Sequence, residues 1–159
     1  MLEDIKNCLA IFASEEVMRY SMTGVMDIPD ISSTIKGWIK LYKDKGFSPF
    51  AIIHNDQIIG YAGLDLRIID EIEQVQITFR FAKNYWGKGL ATEVAFAILD
   101  YAFNQLKLPS IIAIVDQENL SSINVLKKIG MEFMKDVIYG GLPLQIYKIK
   151  SDDYSRSLI

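Results

Sequence analysis

The stretch that decides the reading of this chain is FRFAKNYWGKGLATEVAFAILDYAF, Phe79 to Phe103. Upstream of Gly87-Lys88-Gly89 the residues alternate, QVQITFRF, with Val75, Ile77, Phe79 and Phe81 apolar and Gln74, Gln76, Thr78 and Arg80 polar. A period of two is that of a strand with one core face and one wet face. Downstream, Gly89 to Leu106 is apolar over most of a helical circumference, with Val94, Ile98 and Tyr101 on one side and Phe96, Leu99 and Phe103 near the other. Such a helix is expected to be mostly buried, with Pro109 closing it. A strand that enters a helix through glycines leaves unpaired backbone N–H groups at the positive end of the helix dipole, which is where an anion rests. Glycine lets a bulky anion reach the backbone and makes a positive φ cheap, while Lys88 and nearby Lys83 add mobile positive charge. Two glycines can also do no more than turn the chain.

Two named phosphate motifs fail here. A Walker loop needs G-x-x-x-x-G-K-[ST], whereas Lys88 is followed by glycine and has no partner glycine upstream. The dinucleotide fingerprint G-x-G-x-x-G comes closer, since Gly87-Lys88-Gly89-Leu90-Ala91-Thr92 lacks only its third glycine and Asp116 follows the next strand. Against a dinucleotide-binding protein, the preceding strand alternates instead of being uniformly apolar, and the motif lies in mid-chain behind a hairpin.

Working outward, residues 4 to 20 carry apolar residues at roughly helical spacing (Ile5, Leu9, Phe12, Val17, Met18), with Ser14 placed to restart a helix. Asp27-Ile28-Pro29-Asp30 reads as a loop, after which Ser32 and Ser33 offer N-caps to a helix that ends at Gly46. After Pro49 two β-rich runs flank His54-Asn55-Asp56-Gln57 as a hairpin, and Ile69-Asp70-Glu71 reads as the loop before the alternating strand. SIIAIV, Ser110 to Val115, is a continuous β-branched run of the buried kind. A helix from about Ser121 to Ile129 stops at Gly130, and a last hairpin turns at Gly140-Gly141. The order ααβββαβαββ combines hairpins with one β-α-β crossover, so the fold class is α+β (α/β mixed) with a mixed sheet. A single domain over residues 1–150 is expected, with residues 151–159 a polar, frayed tail.

Composition narrows the function. The chain has 159 residues, half of them hydrophobic, enough for a core without disulfides or metal. Lys and Arg number 17 against 20 Asp and Glu, with no long run of either sign, so no nucleic-acid partner is expected. Cys8 is the only cysteine and His54 the only histidine, so neither a disulfide nor a Cys/His metal cluster is expected, which fits a reducing, cytoplasmic setting. Nothing approaches the roughly 18 apolar residues of a membrane span, and no basic leader opens the chain.

NYWGKGLATE, Asn84 to Glu93, followed by VDQENLSSINVLKKIGM, Val115 to Met131, resembles the GNAT superfamily of N-acetyltransferases, nearest to the ribosomal-protein-alanine acetyltransferase-like subgroup. The resemblance runs from about Glu15 to Tyr147. It implies a central mixed, mostly antiparallel sheet with a splay between two parallel strands and helices on both faces. It also implies that acetyl-CoA is the co-substrate and that an amine attacks its thioester directly, with no covalent enzyme nucleophile and no metal. Carried over by position, the backbone N–H groups from Trp86 through Gly87, Lys88, Gly89 and Leu90 to Ala91 would hold the pyrophosphate, with Thr92 next in the helix. Phe79, Arg80 and Phe81 would pair with the pantetheine amides, and Asn119 would lie beside the pantetheine arm with Ser122 one turn on. Asn119 also suits a helix N-cap.

Three departures from the family pattern bear on chemistry. Many relatives carry a glutamate where this chain has Gln76, which can orient a substrate and cannot act as a base. Leu126 replaces a tyrosine that many members use to protonate the departing thiolate. The remaining candidates for proton handling are Glu73, Asp65, Tyr139 and Tyr147, each also explained as a strand-face or core residue. Relatives usually open with an alternating strand, and MLEDIKNCLAIF has no such alternation, so that strand is either missing or helical, leaving a sheet edge that a dimer partner could cover. The sequence therefore leads to an acetyl-CoA-dependent N-acetyltransferase acting on a protein N-terminus or a small amine, monomeric or homodimeric. A non-catalytic acyl-CoA-binding module is the alternative.

Overall fold

The computed structural model describes residues 2–157. Its helices are α1 (Leu2–Phe12), α2 (Glu15–Met18), α3 (Ile28–Lys45), α4 (Leu90–Asp100), α5 (Leu120–Lys128) and α6 (Ser151–Ser157). The strands are β1 (Pro49–His54), β2 (Gln57–Ile69), β3 (Ile72–Phe81), β4 (Ser110–Val115), β5 (Glu132–Tyr139) and β6 (Leu142–Lys150). They form one six-stranded sheet in the order β1-β2-β3-β4-β6-β5. The pairs β1–β2, β4–β6 and β5–β6 are antiparallel, and β3 and β4 are parallel, as the β-α-β crossover between them requires. No strand precedes β1 among the described residues: the segment in which relatives place one begins as α1.

Contacts sort the chain into two compact units, one of the residues up to Asp65 with Thr78–Leu90, the other of Leu66–Ile77 with the residues from Ala91 onward. In the first, α1, α2 and α3 bury Ile5, Cys8, Ile11, Phe12, Val17, Met18 and Ile31 with Tyr61 of β2. Phe12 stacks on Tyr61 at 5.0 Å between ring centroids, and Trp38 tilts against the same ring at 5.0 Å. Ser14 caps α2 as its sequence position indicates, its hydroxyl accepting from the Val17 N–H. Helix α3 is capped by Asp27, five residues before Ser32, the first of the two expected caps. The Asp27 carboxylate accepts from the Asp30 N–H at 2.9 Å, and Pro29 sits in the first turn, where a missing N–H costs nothing. Gly46 ends α3 at φ +81°, donating to the Tyr42 carbonyl at 2.9 Å.

In the second unit Ile69, Ile112 and Ile146 form a buried cluster against which Ile114, Val137 and Tyr139 pack. Strand β4 is buried along most of its length, as its β-branched run indicates. Helix α4 is less buried than its apolar composition suggests: Ala95 and Leu99 face the core while Phe96 is 39% exposed. The α-helical pattern stops at Asp100, and Tyr101–Gln105 continues as one π-helical turn that buries Ala102 and Phe103. Where a frayed tail is expected, Ser151–Ser157 forms helix α6. In α6 the Ser151 N–H donates to the Pro109 carbonyl at 3.0 Å, and Tyr154, 3% exposed, tilts against Phe103 at 5.2 Å. One buried aromatic explains how so polar a segment is held. No helix among the described residues is long and apolar enough to cross a membrane.

Candidate functional site

The alternation of β3 places Gln74, Gln76, Thr78 and Arg80 on one face, and that face is not wet. Gln76 is 7% exposed, and Gln74, Thr78 and Arg80 are half-buried. Period-two patterning shows which residues share a face and leaves open what covers it. Beyond Phe81 the chain makes a short 3₁₀ turn at Lys83–Tyr85, then passes through Gly87 (φ +71°) and Gly89 (φ +76°) into α4. A Cβ added at either glycine would meet no atom within 4 Å. Here glycine serves backbone conformation and approach from outside, not tight internal packing.

The donors of this turn divide into two sets. Trp86 N–H, expected to face the anion, instead donates to the Lys83 carbonyl at 3.0 Å, because the 3₁₀ turn ahead of it consumes that donor. Among the described residues, no hydrogen bond takes up the N–H groups of Gly87, Lys88 or Gly89. These lie where α4 starts, the positive end of its dipole. The Trp86 indole spans the base of the turn, its Nε1–H donating to the Phe81 carbonyl at 2.8 Å. That bond ties the end of β3 to the turn and occupies one lone pair of a carbonyl expected to face a ligand.

The two lysines differ as well. Lys83 is not mobile charge: its ammonium pairs with the Glu16 carboxylate at 2.7 Å. Lys88 sits over the Tyr85 ring, 5.2 Å from its centroid, on an exposed stretch of the turn. Arg80 leans on α2, its Nη1 against the Met18 sulfur at 2.9 Å.

Of the other predicted site residues, Asn119 is the N-cap of α5, accepting from the Ser122 N–H at 3.2 Å, so these two form one local unit. Ala91 and Thr92 lie half-buried in the first turn of α4. Glu73 is exposed and Asp65 half-buried. Tyr139 is half-buried and packs on the isoleucine cluster, and Tyr147, 5% exposed, is a core residue that meets Phe133 edge-on at 5.9 Å. Leu126 is 2% exposed. Cys8 is buried, and desolvation, then the Asp4 charge, raises its pKa, the reverse of an activated nucleophile.

Sequence reasoning did not single out Arg67. The hydrogen-bonding network turns the Gln76 amide oxygen toward its guanidinium, with Nε at 3.3 Å and Nη2 at 3.2 Å. Arg67 Nη1 donates to the Leu66 carbonyl at 2.7 Å. The signal available in the sequence is positional: Arg67 and Gln76 lie on consecutive strands joined by the turn at Asp70-Glu71.

Comparison with known proteins decides the family. Residues 1–132 match the Acetyltransferase (GNAT) domain. The chain belongs to the GNAT family. This GNAT protein is 30% identical over 147 residues to YkkB of Bacillus subtilis (strain 168), covering 89% of this chain and 83% of that one. It is 30% identical over 134 residues to the uncharacterised N-acetyltransferase p20 of Bacillus licheniformis, covering 82% and 75% respectively. In fold it is similar to the aminoglycoside acetyltransferase AAC(6')-Ib solved in complex with coenzyme A, with a TM-score of 0.81 at 17% identity over 100% of this chain and 96% of that one. As a GNAT protein the chain is an N-acetyltransferase, an acyltransferase acting on amino groups.

Proposed function

We propose that this enzyme transfers the acetyl group of acetyl-CoA to a primary amine, a protein N-terminal α-amine or a small-molecule amine, by direct attack in a ternary complex. The observation that carries this is the turn at Gly87–Gly89: three backbone donors without partners among the described residues, at the start of a helix, with space for a side chain beside both glycines. That cradle fits a pyrophosphate, which needs several N–H groups and no intervening side chain. AAC(6')-Ib, of the same fold, is crystallised with coenzyme A, which supports the same ligand here. Lys88 adds a point charge, Phe79, Arg80 and Phe81 present strand backbone to the pantetheine, and Asn119 and Ser122 take the roles the resemblance gives them.

In the reaction the amine nitrogen bonds to the thioester carbonyl carbon, the C–S bond breaks, and the thiolate leaves with a proton. Buried Leu126 supplies no proton and buried Gln76 accepts none, so at these two positions the chain contributes positioning, with polarisation of the carbonyl left to backbone N–H groups. An α-amine, with a pKa of about 8, is partly neutral without help.

The test is calorimetry with acetyl-CoA, together with thiol release across a free-N-terminal peptide, a polyamine and an aminoglycoside. Micromolar binding with thiol release above the hydrolysis blank is expected, and no binding would sink the reading. The amide at Gln76 and the aliphatic side chain at Leu126 favour a second reading, an acyl-CoA-binding module without turnover. Binding with no release on any acceptor would establish that one.

A further inference from the structure

Arg80, on the polar face of β3, is a half-buried cation without a counter-ion. Among the described residues its guanidinium donates to one partner, the Met18 sulfur at 2.9 Å, and no carboxylate pairs with it. A thioether is a weak acceptor, whereas a guanidinium carries five N–H donors in a rigid fork. The helix that Arg80 leans on does hold carboxylates. Glu16 lies two residues before Met18 in α2, and its carboxylate goes to exposed Lys83 at 2.7 Å. A charge drawn out of water is costly unless it is paired, so an arginine held this way is accounted for by an anion that arrives from outside.

The geometry leaves that anion a way in. No buried side-chain nitrogen or oxygen among the described residues lacks a partner, so the Arg80 nitrogens without one, Nε and Nη2, are open to solvent. These two form an edge that grips a carboxylate or a phosphate through parallel hydrogen bonds. Met18 is 2% exposed in the core of α1 to α3, so the Nη1 side of the fork rests on a fixed wall. A fork already set in place loses less freedom on binding than a mobile one.

We propose that Arg80 is an oxyanion-binding side chain, its Nε–Nη2 edge taking a carboxylate or phosphate carried by one of the enzyme's two substrates. This rests on the acetyl-CoA-dependent acetyltransferase reading for the identity of those substrates. The same chemistry has two sources, a phosphate of the coenzyme or an acidic group on the acceptor amine. The second makes the acceptor an amino acid or an amino phosphate and disfavours polyamines.

The first arm of the experiment needs no turnover. In 15N NMR of the full chain, the Arg80 Nε–H resonance, assigned by its loss in Arg80→Met, is followed through titrations with inorganic phosphate and with acetate at constant ionic strength. A saturable shift with a midpoint of about 1 to 10 mM is expected, well beyond the shift of exposed Arg19, which stacks on Tyr20. Arg80→Lys gives the same assignment should Arg80→Met not fold. An Arg80 shift no larger than that of Arg19 overturns the proposal.

The second arm finds the source. Calorimetry with acetyl-CoA compares wild type, Arg80→Met and Arg80→Lys, the last a point charge without the fork. If the coenzyme brings the anion, Arg80→Met loses at least about tenfold in acetyl-CoA affinity and Arg80→Lys recovers part of it. If the acceptor brings it, acetyl-CoA affinity stays within about threefold, and kcat/KM per neutral amine separates matched probes. In that case 3-aminopropanoate exceeds 3-aminopropanamide, and 2-aminoethyl phosphate exceeds 2-aminoethanol, by about tenfold or more, and Arg80→Met removes both preferences. Absence of both changes in a folded variant overturns the proposal and leaves any phosphate shift to an adventitious ion only. Wild type that binds no acetyl-CoA defeats the acetyltransferase reading, while the phosphate titration still decides whether Arg80 holds an oxyanion.

Discussion

Gly87 and Gly89 ahead of α4, and Gly140 and Gly141 between β5 and β6, all have φ between +57° and +78°, and a Cβ at any of the four would meet no atom within 4 Å. Locally they are interchangeable. The two turns differ in the element each one feeds. After Gly89 the peptide dipoles of α4 add, and among the described residues the N–H groups of Gly87, Lys88 and Gly89 ahead of it have no hydrogen-bond partner. After Gly141 the chain pairs back on itself, Tyr139 opposite Leu142, and strand dipoles alternate and cancel. Glycine supplies the conformation in both places, and the helix or strand beyond it decides whether the turn can hold a charge.

The largest effect expected at the first turn is from Gly87→Asp, which sets a carboxylate where the pyrophosphate is placed. Acetyl-CoA affinity should fall at least about 100-fold, roughly 2.7 kcal/mol, by calorimetry, with the circular dichroism spectrum unchanged. A loss under about threefold would erase the distinction between the turns. The mirror test is Gly141→Val, which forces a β-branched residue into left-handed backbone. It should cost about 1 to 2 kcal/mol in denaturant unfolding and leave acetyl-CoA affinity within about threefold. A large affinity loss there would mean that the hairpin also belongs to the cofactor site. Next comes Asn119→Ala, which removes the α5 cap and should cost about 1 kcal/mol of stability, with Asn119→Ser recovering most of it. The smallest is Lys88→Ala, a weakening of roughly three- to tenfold at low ionic strength that shrinks as salt is added. A Lys88 effect insensitive to salt would point to its contact with Tyr85 in place of charge.

How much of the fold and site is legible in the sequence depends on whether a residue acts locally. Gly46, Gly130 and the Asn55-Asp56 turn are legible because helix stops and two-residue hairpins are set by backbone conformation alone. The start of α3 is misleading because Pro29 looks like a breaker until it is placed in a first turn, where it is compatible with helix. Helix α6 is hidden because what holds it is long-range, the Ser151 N–H on the Pro109 carbonyl and the Tyr154 ring against Phe103. Of the candidate site residues, the positive-φ glycines and the Asn119 cap are local features and so are visible. The Gln76–Arg67 pair is not, because alternation reports a shared face and says nothing of a guanidinium arriving from the next strand. The Trp86 amide fails for a related reason, since whether a donor is free depends on the turn that precedes it.

Cys8, buried in the core of α1 to α3 with its pKa raised, makes the chain its own probe of that core. A thiol reagent needs an exposed thiolate, so at pH 8 labelling of native protein should be slow and limited by opening of the helical layer, and fast in denaturant. The raised value also fixes the sign with pH. The stability this thiol contributes is complete below the ordinary cysteine range and is lost as pH rises toward its folded pKa, so labelling should accelerate in alkali by more than thiolate formation alone predicts. A labelling rate equal in folded and unfolded protein would show that the helical layer does not shield the thiol. Otherwise the rate of one reaction at one sulfur reports when the first unit opens.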